Sequence, residues 1–405
     1  ALAGATNALL AIAEQAARGR LIVALSGVEE LRTRHLRECD ALLGPPAAQE
    51  TAAELSAMCD ELAHLAEALS VLGDLTPRSL DAIAAHGELL SAALAHAAFR
   101  ARDVIATDDR HMRAAPRTEE IARQARERVL PAVRDGRVPL LGGFIGRSPQ
   151  GVTTTIGRGG GDLSASLLGA ALGADAIEIW TDVDGMLTAD PRVVPGARPI
   201  EEIRFDEAAE LASFGAKVLH PSTIAPAVQR GIPVFVLNAR RPEGKGTRIT
   251  SDAPRRAVTA VAGKGRAIVV KVQTPRMLEA HGVARAIFEV FERHRTAVDV
   301  VATSEVSVSL TTDDAAHLDD IIVELRALGD VSIARGRAIL ALVGAGLGDH
   351  ARTMARALGA IGDITVHMVS LSASGINLTL VVDESALDRA MTAMHAEFFG
   401  EGRAA

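Results

Sequence analysis

Apolar residues recur at intervals of three and four from Leu9 to about Arg134, the period of helices that bury one face. One stripe is Leu55, Met58, Leu62, Leu65, Leu69 and Leu72. Pro45-Pro46 and the stretch from Gly73 to Pro77 punctuate the region, so several helices in succession are expected. At Val138 the texture changes. Short apolar runs (Val138 to Leu141, Ala176 to Trp180, Ile232 to Leu237) alternate with helical stretches (Asp162 to Leu172, Asp206 to Phe214, Thr223 to Arg230). That alternation predicts an α/β layer with a mostly parallel sheet.

Past Pro254 the pattern changes again. It predicts a strand over 267–273, a helix over 282–294, a strand pair over 298–311, a helix over 315–328 and a strand over 331–335. A second round follows, with strand 338–343, helix 351–361, strands 364–371 and 377–382 and helix 384–397. These read as two βαββα units of about 65 residues, a repeat of architecture more than of sequence. A spare strand, Ala257 to Ala262, is expected to complete the second unit's sheet, which would interleave the two.

Composition narrows the function. A chain of 405 residues suggests two or three domains, and 48% hydrophobic with 23% charged residues argues against wholesale disorder. With a net charge of −8, nine Phe, one Trp and no Tyr, there is neither a field to gather nucleic acid nor rings to stack on bases. Only four of the 43 basic residues are Lys (217, 245, 264 and 271), which reads as coding bias toward Arg. Two cysteines, Cys39 and Cys59, cannot frame a disulfide scaffold; buried structural roles in a reducing compartment are expected. No apolar run is long enough for a membrane span, and the Ala-rich start reads as a helix without the marks of a signal peptide. The 12 His show no metal-ligand spacing, so no metal ligands are assigned.

Four segments carry candidate chemistry. Thr153-Thr154-Thr155-Ile156-Gly157-Arg158-Gly159-Gly160-Gly161-Asp162 opens a predicted helix. Consecutive glycines let backbone approach a phosphate, the helix N-terminus adds unpaired N–H groups, and Arg158 suits an oxyanion. A flexible turn with Asp162 as N-cap fits the glycine count equally, and the spacing is neither Walker nor dinucleotide-binding. Ile179-Trp180-Thr181-Asp182-Val183-Asp184-Gly185-Met186 runs from a strand into a polar turn, where open α/β sheets collect ligands, although an ordinary Asp-Gly turn explains much of it. Phe214-Gly215-Ala216-Lys217-Val218-Leu219-His220-Pro221 retains a rare Lys at a helix end, by chance or to meet a phosphate. Ala85-His86-Gly87-Glu88-Leu89 sets a Gly beside a carboxylate within a helix; Glu88 is otherwise a solvated residue, and His86 reads as structural.

Together, and in this order, these segments resemble aspartate kinase. Further motifs extend the resemblance over essentially the whole chain: Thr6-Asn7, Gly142-Gly143-Phe144-Ile145-Gly146, Asp190-Pro191-Arg192 and Thr303-Ser304-Glu305-Val306-Ser307-Val308. The chain is most similar to the bacterial lysine-sensitive type. The resemblance implies an amino-acid-kinase fold over 1–253, a mostly parallel sheet sandwiched by helices, followed by two ferredoxin-like ACT domains. A linker and the first ACT domain would occupy 254–336, and the second 337–400. It also implies a cytoplasmic enzyme that moves the γ-phosphoryl of ATP, with Mg²⁺, to the side-chain carboxylate of L-aspartate. The product, 4-phospho-L-aspartate, opens lysine, threonine and methionine biosynthesis.

Carried over by motif, Thr6, Glu88, Phe144 and Arg158 would hold aspartate, with Asp162 and Arg158 catalytic. Gly159, Gly160, Thr181, Asp182, Leu187, Arg192, Lys217 and Val218 would hold ATP. A side-chain carboxylate is already ionised at neutral pH (pKa about 4), so no general base is needed. Met277, Val283, Ala284, Asp299, Thr303 and Ser304 would hold an amino-acid effector between ACT domains of two subunits, making a homodimer or larger assembly. Lysine is favoured over threonine. The chain departs from the family by starting just after its Lys-Phe-Gly-Gly-Thr-Ser strand, by Gly161 where Ser is usual and by Leu187 where an aromatic is usual, so weakened ATP affinity is expected. Other readings are a catalytically impaired amino-acid sensor on a kinase scaffold, or the kinase part of a longer bifunctional polypeptide. Glutamate 5-kinase is disfavoured by His-Gly-Glu and the paired ACT units.

Overall fold

A computed structural model describes residues 2–95, 99–100, 103–157, 159–214, 223–274 and 282–400. The chain forms two compact units, Ala1–Ile177 with Ser222–Ile232, and Glu178–Pro221 with Pro233–Ala405.

Unit 1 begins with four helices, α1 (Ala5–Ala17), α2 (Leu21–Leu42), α3 (Pro45–Leu72) and α4 (Pro77–Leu94). Local residues set their ends. Gly19 turns left-handed between α1 and α2, Pro45 opens α3, and Gly73 closes it with φ 67°. Thr76 caps α4 by accepting the Ser79 amide at 3.1 Å. Leu9, Val28, Leu55, Leu62 and Leu90 meet in one core. Of the expected α3 stripe, Leu55, Leu62 and Leu69 are buried, whereas Leu72, one residue before the terminating glycine, is 76% exposed. Cys39 and Cys59 are free thiols buried in this core.

Helix does not continue unbroken to Arg134. Residues 103–117 run irregularly, because carboxylate side chains there and in α4 bind backbone amides that a helix would bond internally. Around this segment lie β1 (Phe99–Arg100), α5 (Thr118–Gln124), a π-helical turn, α6 (Leu130–Arg134) and β2 (Pro139–Leu140), with β1 and β2 parallel. β3 (Ile145–Arg147) and β4 (Thr153–Thr155) form an antiparallel pair, and α7 (Gly160–Leu172) follows.

Unit 2 takes over within β5 (Ile177–Thr181) and adds β6 (Glu202–Arg204) and α8 (Phe205–Ser213). The chain then gives unit 1 its α9 (Ala225–Arg230) before returning with β7 (Val234–Asn238) and β8 (Thr247–Thr250). The sheet order is β5-β7-β8-β6, with β8 parallel to β6 and antiparallel to β7.

The rest is one six-stranded sheet. In chain order it comprises β9 (Ala260–Gln273), α10 (Val283–Arg293), β10 (Val301–Thr303), β11 (Ser307–Thr312), α11 (Leu318–Leu325) and β12 (Asp330–Val343). α12 (Ala351–Ala360), β13 (Val366–Leu371), β14 (Asn377–Asp383) and α13 (Leu387–Phe399) complete it. The strand order is β10-β11-β9-β12-β14-β13, antiparallel throughout. Stretches expected as separate strands are continuous: β9 joins 260–262 to 267–273, and β12 joins 331–335 to 338–343. One end of β9 pairs Val270 with Leu310 and Ile333, while the other pairs Val261 with Leu342. The polar Gly-Lys-Gly-Arg and Arg-Gly-Arg stretches, where the expected strands were separated, are absorbed as register shifts where Arg266 and Gly336 take positive φ. Two cores result, one around Val270, Ile287, Phe291 and Ile321, the other around Leu340, Leu380 and Met394.

Candidate functional site

In unit 1 the glycine-rich segment hands β4 over to α7. Gly157 (φ 84°) and Gly159 (φ 72°) adopt the left-handed conformation that residues with a Cβ avoid. A Cβ on Gly160 would lie 2.8 Å from Phe144 Cδ2, and one on Gly143 would lie 3.1 Å from Gly161 Cα. The two glycine segments therefore pack main chain to main chain. Hydrogen bonds hold the pair: the Phe144 amide donates to Ser164 Oγ at 3.0 Å, Ser164 Oγ donates to Gly160 O at 2.7 Å, and the Ile156 amide donates to Phe144 O at 3.1 Å. Phe144 itself has φ 67°, a conformation only this close packing sustains.

Asp162 lies in the first turn of α7, half-buried, and that burial pushes its carboxyl above the usual range. Its ionised form is stabilised when a cation approaches. Glu88 lines a cavity of about 300 Å³ together with Asp103, Gly142, Arg147 and Thr153. Thr6 stands exposed in the first turn of α1. His86 is structural, its Nδ1–H donating to Ala82 O at 2.9 Å. Arg158 lies outside the described residues.

Asp81, which no motif marked, anchors this half. Its carboxylate is fully buried and accepts from Thr155 Oγ1 at 2.5 Å, from the Met112 amide at 3.1 Å and from His111 Nδ1 at 2.8 Å. Helix α4, the 103–117 segment and the end of β4 are thereby tied at one point. Met112 passes the constraint on, because its carbonyl oxygen is 3.2 Å from where a Cβ on Gly157 would be. The only sequence signal was an Asp among the apolar positions of a helix.

Of the expected nucleotide residues of unit 2, Thr181 closes β5 and Asp182 follows it. The Ala239 amide donates to Thr181 O at 2.8 Å, so the ends of β5 and β7 adjoin. Asp182 is exposed beside Thr181. Gly185 (φ 106°) would place a Cβ 2.5 Å from Thr247 Oγ1, and that hydroxyl accepts the Met186 amide at 2.8 Å. Leu187 is half-buried and bridges to Pro199. Arg192 is exposed, its guanidinium donating to both oxygens of Asp190, within the same Asp-Pro-Arg motif. Asp184, Asn238 and Arg241 also meet here: Asn238 Nδ2 donates to Asp184 Oδ1 at 2.6 Å, and Arg241 pairs with the other oxygen. Lys217 and Val218 lie outside the described residues.

Of the expected effector residues, Val283 and Ala284 open α10, Thr303 ends β10, and Ser304 forms a turn with Ser307, hydroxyl to hydroxyl at 2.8 Å. Met277 lies outside the described residues. Asp299 is already paired. Lys264 Nζ donates to it at 2.7 Å and reaches Asp313 at 3.0 Å. The Asp299 side chain is only 18% exposed, and that burial raises its carboxyl despite the ammonium. Burial works to lower Lys264, but its bonds to Asp299 and Asp313 prevail and raise it.

The amino acid kinase family pattern matches residues 3–238, and an ACT domain pattern matches 340–398. The lysine-sensitive aspartokinase 3 of Escherichia coli is 35% identical, over 98% of this chain and 91% of that protein. The chain belongs to the aspartokinase family. The chloroplastic aspartokinase 1 of Arabidopsis thaliana is 34% identical over 99% of this chain and 74% of its own length. The crystal structure of E. coli aspartokinase III in complex with aspartate and ADP superimposes with a TM-score of 0.84 at 34% identity, covering 98% of this chain and 91% of that one. Its complex with lysine and aspartate superimposes with a TM-score of 0.79. This aspartokinase therefore has the amino-acid-kinase fold with ACT domains and is a phosphotransferase, an aspartate kinase. Among its described residues no helix is long and apolar enough to cross a membrane.

Proposed function

We propose that this aspartokinase transfers the γ-phosphoryl of ATP to the side-chain carboxylate of L-aspartate and is inhibited by lysine. The observation that carries the reading is the backbone-tight glycine segment of unit 1, which presents Phe144 and the half-buried Asp162 at the start of α7. Glu88 faces the aspartate ammonium and Arg158 a carboxylate, with Thr6 and Phe144 beside them. Gly159 and Gly160 offer main-chain amides to phosphate oxygens, and Thr181, Asp182, Leu187, Arg192, Lys217 and Val218 hold the rest of the nucleotide. The acceptor is already an anion, so the residues act by positioning it and by offsetting charge on the transferring group.

The half-buried carboxylate of Asp162, in the first turn of α7, suits Mg²⁺, a hard cation that binds through one or two carboxylates plus phosphates. When bound, that ion neutralises phosphate oxygens. Asp299, Val283, Ala284, Thr303, Ser304 and Met277 form the effector site, with a second chain joined through the ACT domains. Buried free Cys39 and Cys59 fit the cytoplasm, where thiols stay reduced.

ADP release by the full gene product, measured with and without aspartate and lysine, tests the reading. Aspartate-dependent release that lysine suppresses is expected, and Glu88→Gln should raise KM for aspartate roughly 10- to 100-fold while leaving that for ATP unchanged. Release that ignores aspartate would overturn it.

A further inference from the structure

Sequence spacing gave no reason to assign a metal, yet the fold of the first βαββα half assembles a ligand set. α10 ends at Arg293 with His294 as its C-cap, and α11 begins at Leu318 with His317 as its N-cap. A ring nitrogen of His294, one of His317 and a carboxylate oxygen of Asp320 all lie within 4.8 Å of one another. The two imidazoles stand 6.0 Å apart between centroids, their planes inclined by 34°. His317 and Asp320 are exposed, so an ion reaches them directly from solvent.

We propose that His294, His317 and Asp320 form a binding site for a borderline divalent cation of the zinc class. Two imidazoles and one carboxylate are the donors that zinc, nickel and cobalt prefer, and three protein ligands leave the fourth tetrahedral position to water. The surroundings orient the set. His294 Nε2 is 2.7 Å from Glu324 Oε1, so Nε2 carries the hydrogen and Nδ1 keeps its lone pair for the ion. A carboxylate behind the ligating histidine is the usual support of such sites. Arg293, the nearest cation on α10, is paired with the same Glu324. The C-terminal end of α10 favours positive charge, and Asp319 and Asp320 in the first turn of α11 counter the positive end of that helix. An ion here ties the end of one helix to the start of the next, over the core that holds Ile287, Phe291, Ile321 and Leu325.

The test uses the full, untagged chain stripped with a chelator and titrated calorimetrically with zinc chloride alone. His317→Ala should lose one equivalent of zinc that the unsubstituted chain binds, and Asp320→Asn should weaken that equivalent by about tenfold or more. Zinc should raise the melting temperature of the unsubstituted chain and not that of His317→Ala, whose metal-free melting temperature stays unchanged because the side chain is exposed. Equal stoichiometry and affinity in all three proteins, or no zinc bound by the unsubstituted chain, would overturn the proposal.

Discussion

Replacing Asp81 by Ala removes one acceptor from three donors in different parts of unit 1: the Thr155 hydroxyl, the Met112 amide and the His111 ring. Asp81 and Thr155 are both fully buried, so water cannot stand in for the lost carboxylate without opening a cavity. His111 retains 23% of its side-chain exposure and can turn to solvent. The Thr155 hydroxyl cannot and the half-buried Met112 amide can only in part, and a stranded donor costs about 1–3 kcal/mol. A central total of about 3 kcal/mol lowers the melting temperature of a unit this size by about 6–12 °C. Asp81→Asn keeps the volume and one acceptor oxygen, so it should cost about half as much. Both changes release Met112 from its place against Gly157, so aspartate-dependent kcat/KM should fall even at temperatures where the protein is fully folded. Calorimetric melting and coupled ADP release on the two variants measure the two effects separately. An Asp81→Ala protein with unchanged melting temperature and unchanged kcat/KM would refute the anchoring role.

A Cβ on Gly161 meets nothing within 4 Å, so Gly161→Ser should fold normally and lower KM for ATP by adding a hydroxyl in the first turn of α7; an unchanged KM refutes the idea that the missing hydroxyl weakens nucleotide binding. His395 is buried against Thr188 and Phe399, and burial, with Arg198 nearby, depresses its pKa. The unfolded chain then binds this proton first, so the stability of unit 2 is full above about pH 6.5 and falls as the pH drops through the depressed value; His395→Gln should flatten that fall in melting experiments. Lys264 holds Asp299, the carboxylate proposed to meet an effector ammonium, and Lys264→Met should lower the lysine concentration for half-inhibition by about tenfold, one charge-assisted hydrogen bond's worth. A higher or unchanged concentration would place the effector elsewhere.

Much of the glycine-rich architecture was legible because it depends on residue types with narrow conformational uses. Gly157, Gly159 and Gly185 occur where φ is positive, and Gly143 and Gly160 where main chains touch. What escaped depends on partners distant in sequence. Asp81 is one polar residue in a helix until Thr155 and Met112 are folded onto it. Lys264 falls between two expected strands, but β9 runs through it and sets its ammonium against Asp299 and Asp313. The histidine pair is separated by a strand pair, and only the packing of α10 on α11 brings its rings together. The continuity of β9 and β12 was hidden for a related reason: each strand's polar middle is carried through a register shift by the pairing of the two strands on either side of it.

That continuous sheet also constrains how unit 2 can move internally. Glu207, in the first turn of α8, is fully buried and accepts from Thr259 Oγ1 at 2.6 Å, from the Ala345 amide at 2.7 Å and from the Arg204 amide at 3.1 Å. One helical turn on, Glu210 accepts from Asn377 Nδ2 at 2.8 Å. α8 is therefore fastened to the approach of β9, to the end of β12 and to the start of β14. Sliding the helix away would strand the buried Thr259 hydroxyl and the Ala345 amide, at about 1–3 kcal/mol for each, and leave the Glu207 carboxylate only the amide of its own N-cap residue, Arg204. Any movement of the sheet that preserves these bonds must carry α8 and, at its end, Phe214, the first residue of the motif that contains Lys217.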